Sequence, residues 1–170
     1  MKKMRLLLLA ICYLLICSAL AQIAKPRQLR IISNPALFQK LMRDLDAPQL
    51  LKRYRTDLKL VRVTRNRHDP TVSDSLLQVK TPADKLTLFK NQYRALLRGA
   101  TITSAKVRFA GLRTGATQTD FCRTLRLKPG YDQYIITDGM ENFVQLTFAF
   151  AGGKLKSVEY RELVDMDGVD

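Results

Sequence analysis

Apolar and polar positions fall into short blocks along this chain, and the period changes from block to block. Leu37, Phe38, Leu41 and Leu45 repeat at helical spacing behind Ser33-Asn34-Pro35. A capping side chain followed by proline at the first helical position marks a helix start. The spacing predicts a helix to Asp46 and a second, short helix over residues 49–54, after Pro48. Residues 59–64 and 76–80, rich in Leu and Val, predict two strands around the turn Arg65-Asn66-Arg67-His68-Asp69-Pro70. Leu86, Phe89, Tyr93, Leu96 and Leu97 follow an amphipathic helical stripe that starts at Thr81-Pro82-Ala83-Asp84 and ends at Gly99. Lys85-Leu86-Thr87-Leu88-Phe89 also fits the opening of a strand, and that alternative stays open.

The clearest patterning lies in residues 102–160. Ala105, Val107 and Phe109 alternate with Ser104, Lys106 and Arg108, which predicts a half-buried strand over 102–110. Gly111 and Gly115 bracket a turn. Thr117 with Asp120 three residues on resembles a capping box, opening a short helix with Phe121 and Leu125 on one side. Residues 131–137 predict a strand and Asp138-Gly139 a turn. Val144, Leu146, Phe148 and Phe150 line one face of a longer strand. Gly152-Gly153 closes a tight hairpin onto a returning strand over 155–163, with Val158 and Tyr160 as core candidates. The expected class is α+β: N-terminal helices followed by an antiparallel sheet of four or more strands, with a short packed helix. It forms a single domain over 33–163, ahead of an acidic, frayed C-terminus at 164–170. The chain has no internal repeat and no heptad run.

Ahead of that domain the pattern is different. Lys2, Lys3 and Arg5 precede an uncharged apolar run, and Ala19-Leu20-Ala21 stands before Gln22. A basic start, an apolar core and small residues before a cleavage point predict a secretory signal over 1–21, cut between Ala21 and Gln22. The uncharged run extends to Ala24, long enough to serve instead as an uncleaved membrane anchor. Cys17 is a third possibility, as a lipid-bearing residue, but the bulky Ile16 before it argues against that. Residues 22–32 read as a basic connector. Cys12 and Cys17 lie inside the signal, so only Cys122 remains in the domain. No internal disulfide is then available, and the core itself must hold the fold.

Charge adds a polarity to this picture. The formal net charge is +14. Removing Lys2, Lys3 and Arg5 from the 29 basic residues leaves 26 against 15 acidic ones. Residues 25–67 hold twelve Lys/Arg against Asp44, Asp46 and Asp57, whereas residues 131–170 hold Lys154, Lys156 and Arg161 against eight acids. A basic front and an acidic tail suit an encounter with an anionic surface or partner.

Gly115-Ala116-Thr117-Gln118-Thr119-Asp120-Phe121 gives a glycine turn, then a capped helix. Phe148-Ala149-Phe150-Ala151-Gly152-Gly153-Lys154-Leu155 gives a strand, then a glycine hairpin. That succession over residues 111–162 resembles the small bacterial envelope module shared by the outer-membrane assembly lipoprotein BamE (the SmpA/OmlA family) and the repeats of β-lactamase inhibitor protein. The resemblance implies a non-catalytic, protein-binding α+β domain outside the cytoplasm. It carries over no binding residue.

Candidate chemistry is sparse. A thiol nucleophile needs a nearby base and an orienting group. Cys122 and His68, the single histidine, stand about fifty residues apart in no known signature. One His and one Cys cannot furnish a structural zinc site. The run Asp165-Met166-Asp167-Gly168-Val169-Asp170 lacks the acid that closes a calcium loop. Asp138, Glu141, Glu159 and Glu162 are the carboxylates from which a glycosidase pair would have to come, and Asp138 with Glu141 reads better as a turn. No phosphate-loop or dinucleotide pattern is present. Arg113, Arg123, Arg126 and Lys128 form a candidate basic rim around the short helix, with Tyr131 and Tyr134 nearby. No metal and no cofactor is expected, and nucleic acid is an unlikely ligand for an exported chain. The expected function is a non-catalytic binding module of the cell envelope, periplasmic or extracellular. Its expected partner is an envelope protein or an anionic surface component, and membrane contact comes only through an uncleaved N-terminal segment. The alternatives are a small periplasmic hydrolase and a polyanion-binding protein.

Overall fold

The computed structural model describes residues 28–139 and 144–162. The predicted signal and its cleavage point, the carboxylate Glu141 and the acidic tail lie outside the described residues.

Eight strands form one mixed sheet. They are β1 (Leu29–Ser33), β2 (Leu58–Arg65), β3 (Ser73–Lys80), β4 (Asp84–Lys90), β5 (Ala95–Ile102), β6 (Gln133–Thr137), β7 (Val144–Ala151) and β8 (Lys154–Glu162), in the spatial order β1-β6-β7-β8-β5-β4-β3-β2. β1 runs parallel to β6, and every other pairing is antiparallel. Three short helices complete the described chain: α1 (Pro35–Met42), α2 (Ala47–Arg53) and α3 (Gln118–Leu125), with a 3-10 turn (Arg43–Leu45) between the first two.

The expected class, N-terminal helices leading into an antiparallel sheet, is therefore corrected. The molecule is mainly an eight-stranded mixed sheet, and the helices are a thin layer upon it. Three local differences produce this. Residues 29–33, read as connector, form β1, whose Ile32 pairs in register with Ile136. The stripe over 81–99, read as a helix with a strand over 85–89 as the open alternative, is the β4–β5 hairpin, and β4 takes up that alternative. The hairpin turn is set by Asn91, whose Oδ1 accepts from the Tyr93 and Arg94 amides at 2.9 Å each, a side chain standing in for a turn carbonyl. Residues 103–110, read as strand, form irregular chain, because both edges of β5 are already taken by β4 and β8.

The register sorts the side chains into two faces. Ile32, Ile136, Leu146, Tyr160, Ala100, Leu86, Val79 and Leu58 stand in one row across all eight strands. Most are buried, because this is the face that the helices cover. α1 lies against β6 and α2 against β5. α3 brings Phe121 to within 5.3 Å of the Tyr134 ring and 5.0 Å of both Phe148 and Phe150. Such offset aromatic contacts add about 1 kcal/mol each beyond burial. The Asn34 side chain caps α1 by accepting from Leu37 at 3.0 Å. The Thr117 hydroxyl does the same for α3 through the Asp120 amide at 3.1 Å.

One buried carboxylate joins the layers. Asp84 opens β4 and is 1% exposed. It accepts from Tyr54 Oη at 2.8 Å, from the Thr103 and Ser104 amides at 3.0 and 2.9 Å, and from Ser104 Oγ at 2.5 Å. The helical layer and the exit from β5 thus close on a single side chain. Burial pushes its carboxyl up, but the bonds from Ser104, Tyr54 and Thr103 together outweigh that and hold it below the usual value of 3.8. Burial, then the bond to Asp84, pushes the Tyr54 phenol well above its ordinary range.

Asp84→Ala strands a buried phenol and two amides, so chemical denaturation should show a loss of about 3 kcal/mol. Because the folded carboxyl is depressed, its contribution is complete above the unfolded value and drains away as pH falls through the lower folded one. The stability gap between the native chain and Asp84→Asn should be widest near neutrality and should shrink below about pH 4.

Candidate binding face

The second face of the sheet is polar. Ser33, Thr137, Gln145, Arg161, Gly99, Thr87, Gln78 and Lys59 form a row across all eight strands, one residue along from the apolar row. The next row on this face runs Ile31, Ile135, Thr147, Glu159, Thr101, Lys85 and Lys80. The period of two that sends most Leu and Phe to one side sends Thr, Gln and Lys to the other, while Leu76, Phe89 and Leu96 form one apolar row on this face. Among the described residues no helix packs here. Thr137 is the buried member of its row, and its Oγ1 has no partner among the described residues.

Two concavities mark this face. A hollow of about 540 Å³ lies over β6–β8, where the small side chains of Ala149 and Ser157 leave a low floor rimmed by Asp132, Gln133, Lys156 and Glu159. A smaller cleft of about 150 Å³ lies between Arg62, Asp74, Phe89 and Arg98. The charge is graded between them. Glu159 is engaged by Arg161 at 2.7 Å. Toward the β2 edge, Lys59, Arg62, Lys80 and Lys85 are all exposed. Lys80 stands directly opposite Lys85 in the β3–β4 register. Like charges facing each other across a strand pair destabilise it, so this pairing costs the isolated protein something and favours an anion laid across it.

The residues singled out by sequence fall elsewhere. Arg113, Arg123, Arg126 and Lys128 are all exposed. Arg123 is tied to Asp120 at 2.5 Å, Arg126 takes the left-handed position that ends α3, and the Lys128 carbonyl accepts from Tyr134 Oη at 2.9 Å. Arg123 and Arg126 therefore belong to the helical side, away from the polar sheet face. Tyr134 is not a surface stacking platform: it is buried under α3. Burial, then the hydrogen bond with Cys122, pushes its phenol above the ordinary range.

Cys122 and His68 do not meet. Cys122 is 4% exposed, with Sγ 3.2 Å from Tyr134 Oη. Since that phenol donates its one proton to Lys128, the thiol is the donor to the phenol oxygen, and no base attends it. His68 is exposed in the β2–β3 turn, its amide bonded to Asn66 Oδ1 at 2.9 Å. At least five strand spacings, about 24 Å, separate the β2–β3 turn from β6, whose Tyr134 touches Cys122. Glu159 and Glu162 do not pair either. Glu159 lies on the polar face. Glu162 sits across an odd step of β8 and bonds Tyr160 Oη and Arg98, each at 3.3 Å. No cluster of three or more metal-ligating side chains occurs among the described residues, and no described helix is long and apolar enough to cross a membrane.

Comparison with protein-family models, curated proteins and solved structures returned no match.

Burial of Cys122 sets the rate at which a thiol reagent reaches it. Alkylation of the folded chain should run at least a hundredfold slower than in denaturant, since labelling must wait for an opening of about 3 kcal/mol or more. Labelling at the denatured rate would place the thiol at the surface and reopen nucleophilic chemistry.

Proposed function

We propose that this is an exported, non-catalytic binding module of the cell envelope, and that it holds an anionic partner against the polar face of its sheet. The observation that carries the reading is the Lys80–Lys85 pair, two like charges held in register on an exposed face beside Lys59 and Arg62. A stable sheet has no use for that arrangement, whereas an anion bridging the two ammonium groups turns repulsion into attraction. The surrounding Thr, Gln and Ser side chains supply neutral donors that fix an anionic group without adding charge. The basic start, apolar run and Ala19-Leu20-Ala21 motif support export. The resemblance of residues 111–162 to the BamE-type envelope module supports the same compartment and a binding role. An acidic protein face and an anionic envelope polymer share the recognising chemistry.

Two measurements test this. Material exported from a bacterial host should begin at Gln22, and an intact N-terminus on the membrane-bound chain would favour the anchor instead. On immobilised heparin, used as a model polyanion, retention of the native chain should fall steeply with salt. Lys80→Ser with Lys85→Ser should flatten the log–log salt dependence by about two counterions, while Arg123→Ser with Arg126→Ser leaves it nearly unchanged. The reverse ranking would move the site to the rim of α3, and insensitivity to both would remove the anionic partner.

A further inference from the structure

Sheet edges expose unpaired backbone donors and acceptors, and the longer edge here is β2. From Lys59 to Arg65 every residue is exposed. Leu60 is 60% exposed, and Val61 and Val63 are each 52% exposed. A bulge falls between Leu60 and Arg62. It puts Lys59 and Arg62 together on the polar face and Leu60 and Val63 together on the other. Below Leu60 the covered face runs out, leaving an open hollow with Ser75, Leu77 and Lys90. A basic edge with a bulge repels another copy of itself, which is how natural edges avoid pairing like with like. It therefore selects a strand of opposite charge with apolar residues at alternate positions.

The sequence contains a segment with that pattern. Residues 164–167 read Val164-Asp165-Met166-Asp167. Laid antiparallel on β2, with the bulged Val61 left out, Val164 meets Val63, Asp165 meets Arg62, Met166 meets Leu60 and Asp167 meets Lys59. All four pairs match, two apolar and two ionic. A parallel arrangement with Val164 on Leu58, Asp165 on Lys59, Met166 on Leu60 and Asp167 on Arg62 makes the same matches, but Leu58 is half-buried and a parallel ladder is slightly less stable per residue, which favours the antiparallel one. The same molecule cannot make this pairing. Val164 stands two residues past the end of β8, a reach of about 7 Å, while β2 lies four strand positions away, about 19 Å.

We propose that β2 binds residues 164–167 of a second copy of this chain as an added antiparallel strand, so that the protein self-associates through its acidic tail. The contact joins two different patches. Two chains that exchange tails close a dimer, and onward addition gives a linear assembly. Backbone hydrogen bonds supply much of the affinity, and the alternate side chains supply register. This edge shares Lys59 and Arg62 with the polar face but does not use the Lys80–Lys85 pair, so the proposal stands whether or not an anion binds across that pair.

Sedimentation velocity on the full chain tests it. Association that grows with concentration is expected, as dimer or as longer assembly. Asp165→Lys with Asp167→Lys should weaken it at least tenfold, and so should Lys59→Asp with Arg62→Asp. Combining all four changes restores opposite charges and should recover most of the association, which a β2 variant that had merely misfolded could not do. A synthetic peptide of residues 163–170 should dissociate the native assembly, and the same peptide with both aspartates changed to lysine should not. A chain monomeric at every concentration, association indifferent to the tail charges, or a quadruple variant that stays apart would each overturn the proposal. So would hydrogen-exchange protection of residues 163–167 that is unchanged on dilution to monomer.

Discussion

Coverage is the constraint from which this architecture follows. Eight strands spaced by about 4.8 Å make a sheet about 34 Å across, and each side of it needs either water or a packed layer. The described chain supplies three helices of seven or eight residues. Each is about 10 Å wide, so side by side they span about 30 Å. That suffices for one face and falls slightly short even there. The shortfall appears at the β2–β3 end, where Leu60 remains 60% exposed although its cross-strand row points to the covered side. Among the described residues nothing remains for the other face, which carries Thr, Gln, Lys and Arg over most of its width. The polar face and the uncovered edge are thus consequences of one shortage of helix.

The way the chain enters and leaves the sheet depends on a second economy. After β5 no free edge remains on that strand, so residues 103–114 cross the covered face without a ladder, until Gly115 and Ala116 bond Leu155 at the start of β8. Asp84 takes the first two amides of that crossing. Asp44 takes the amide of Ala110 at 2.7 Å, and Lys106 reaches Asp57 at 3.1 Å. Between these ties Val107 and Phe109 are fully enclosed, with the Phe109 ring edge-on to Phe148 at 5.6 Å. The segment works as a fourth piece of cover, made from loop rather than helix. Its polar ties explain why a carboxylate can stay ionised inside an otherwise apolar layer: each oxygen is matched by donors already fixed in place.

Local chemistry was legible wherever a single residue dictates geometry. Asn34 and Thr117 cap helices, and Gly152 with Gly153, at φ +58° and +68°, turn the β7–β8 hairpin. Pattern was misleading at the β4–β5 hairpin. Leu96 and Leu97 pair with Phe89 and Leu88 and face opposite sides of the sheet, yet with Phe89 and Tyr93 their spacing fits a helical stripe that the Asn91 turn in fact interrupts. Residues 103–110 show the converse. Val107 and Phe109 alternate in burial as a strand would, yet the segment has no edge to join. β1 escaped notice because only its pairing with β6 gives Ile32 an inward face. A binding face is harder still to read, since it exists only in the order β1-β6-β7-β8-β5-β4-β3-β2, which brings Lys80 and Lys85 beside Thr101 and Glu159 from the far end of the chain.

The charge asymmetry of the sequence acquires a spatial meaning in this frame. The basic first half of the domain ends in β2, and the acidic last part leaves from β8, four positions away in the same sheet. The intervening β5, β4 and β3 set β2 and the end of β8 apart by more than a Debye length at physiological salt, roughly 8 Å, so the Lys and Arg side chains of β2 keep their sign toward solvent. The sheet order, more than the net charge of +14, sets where the basic pole of this surface lies.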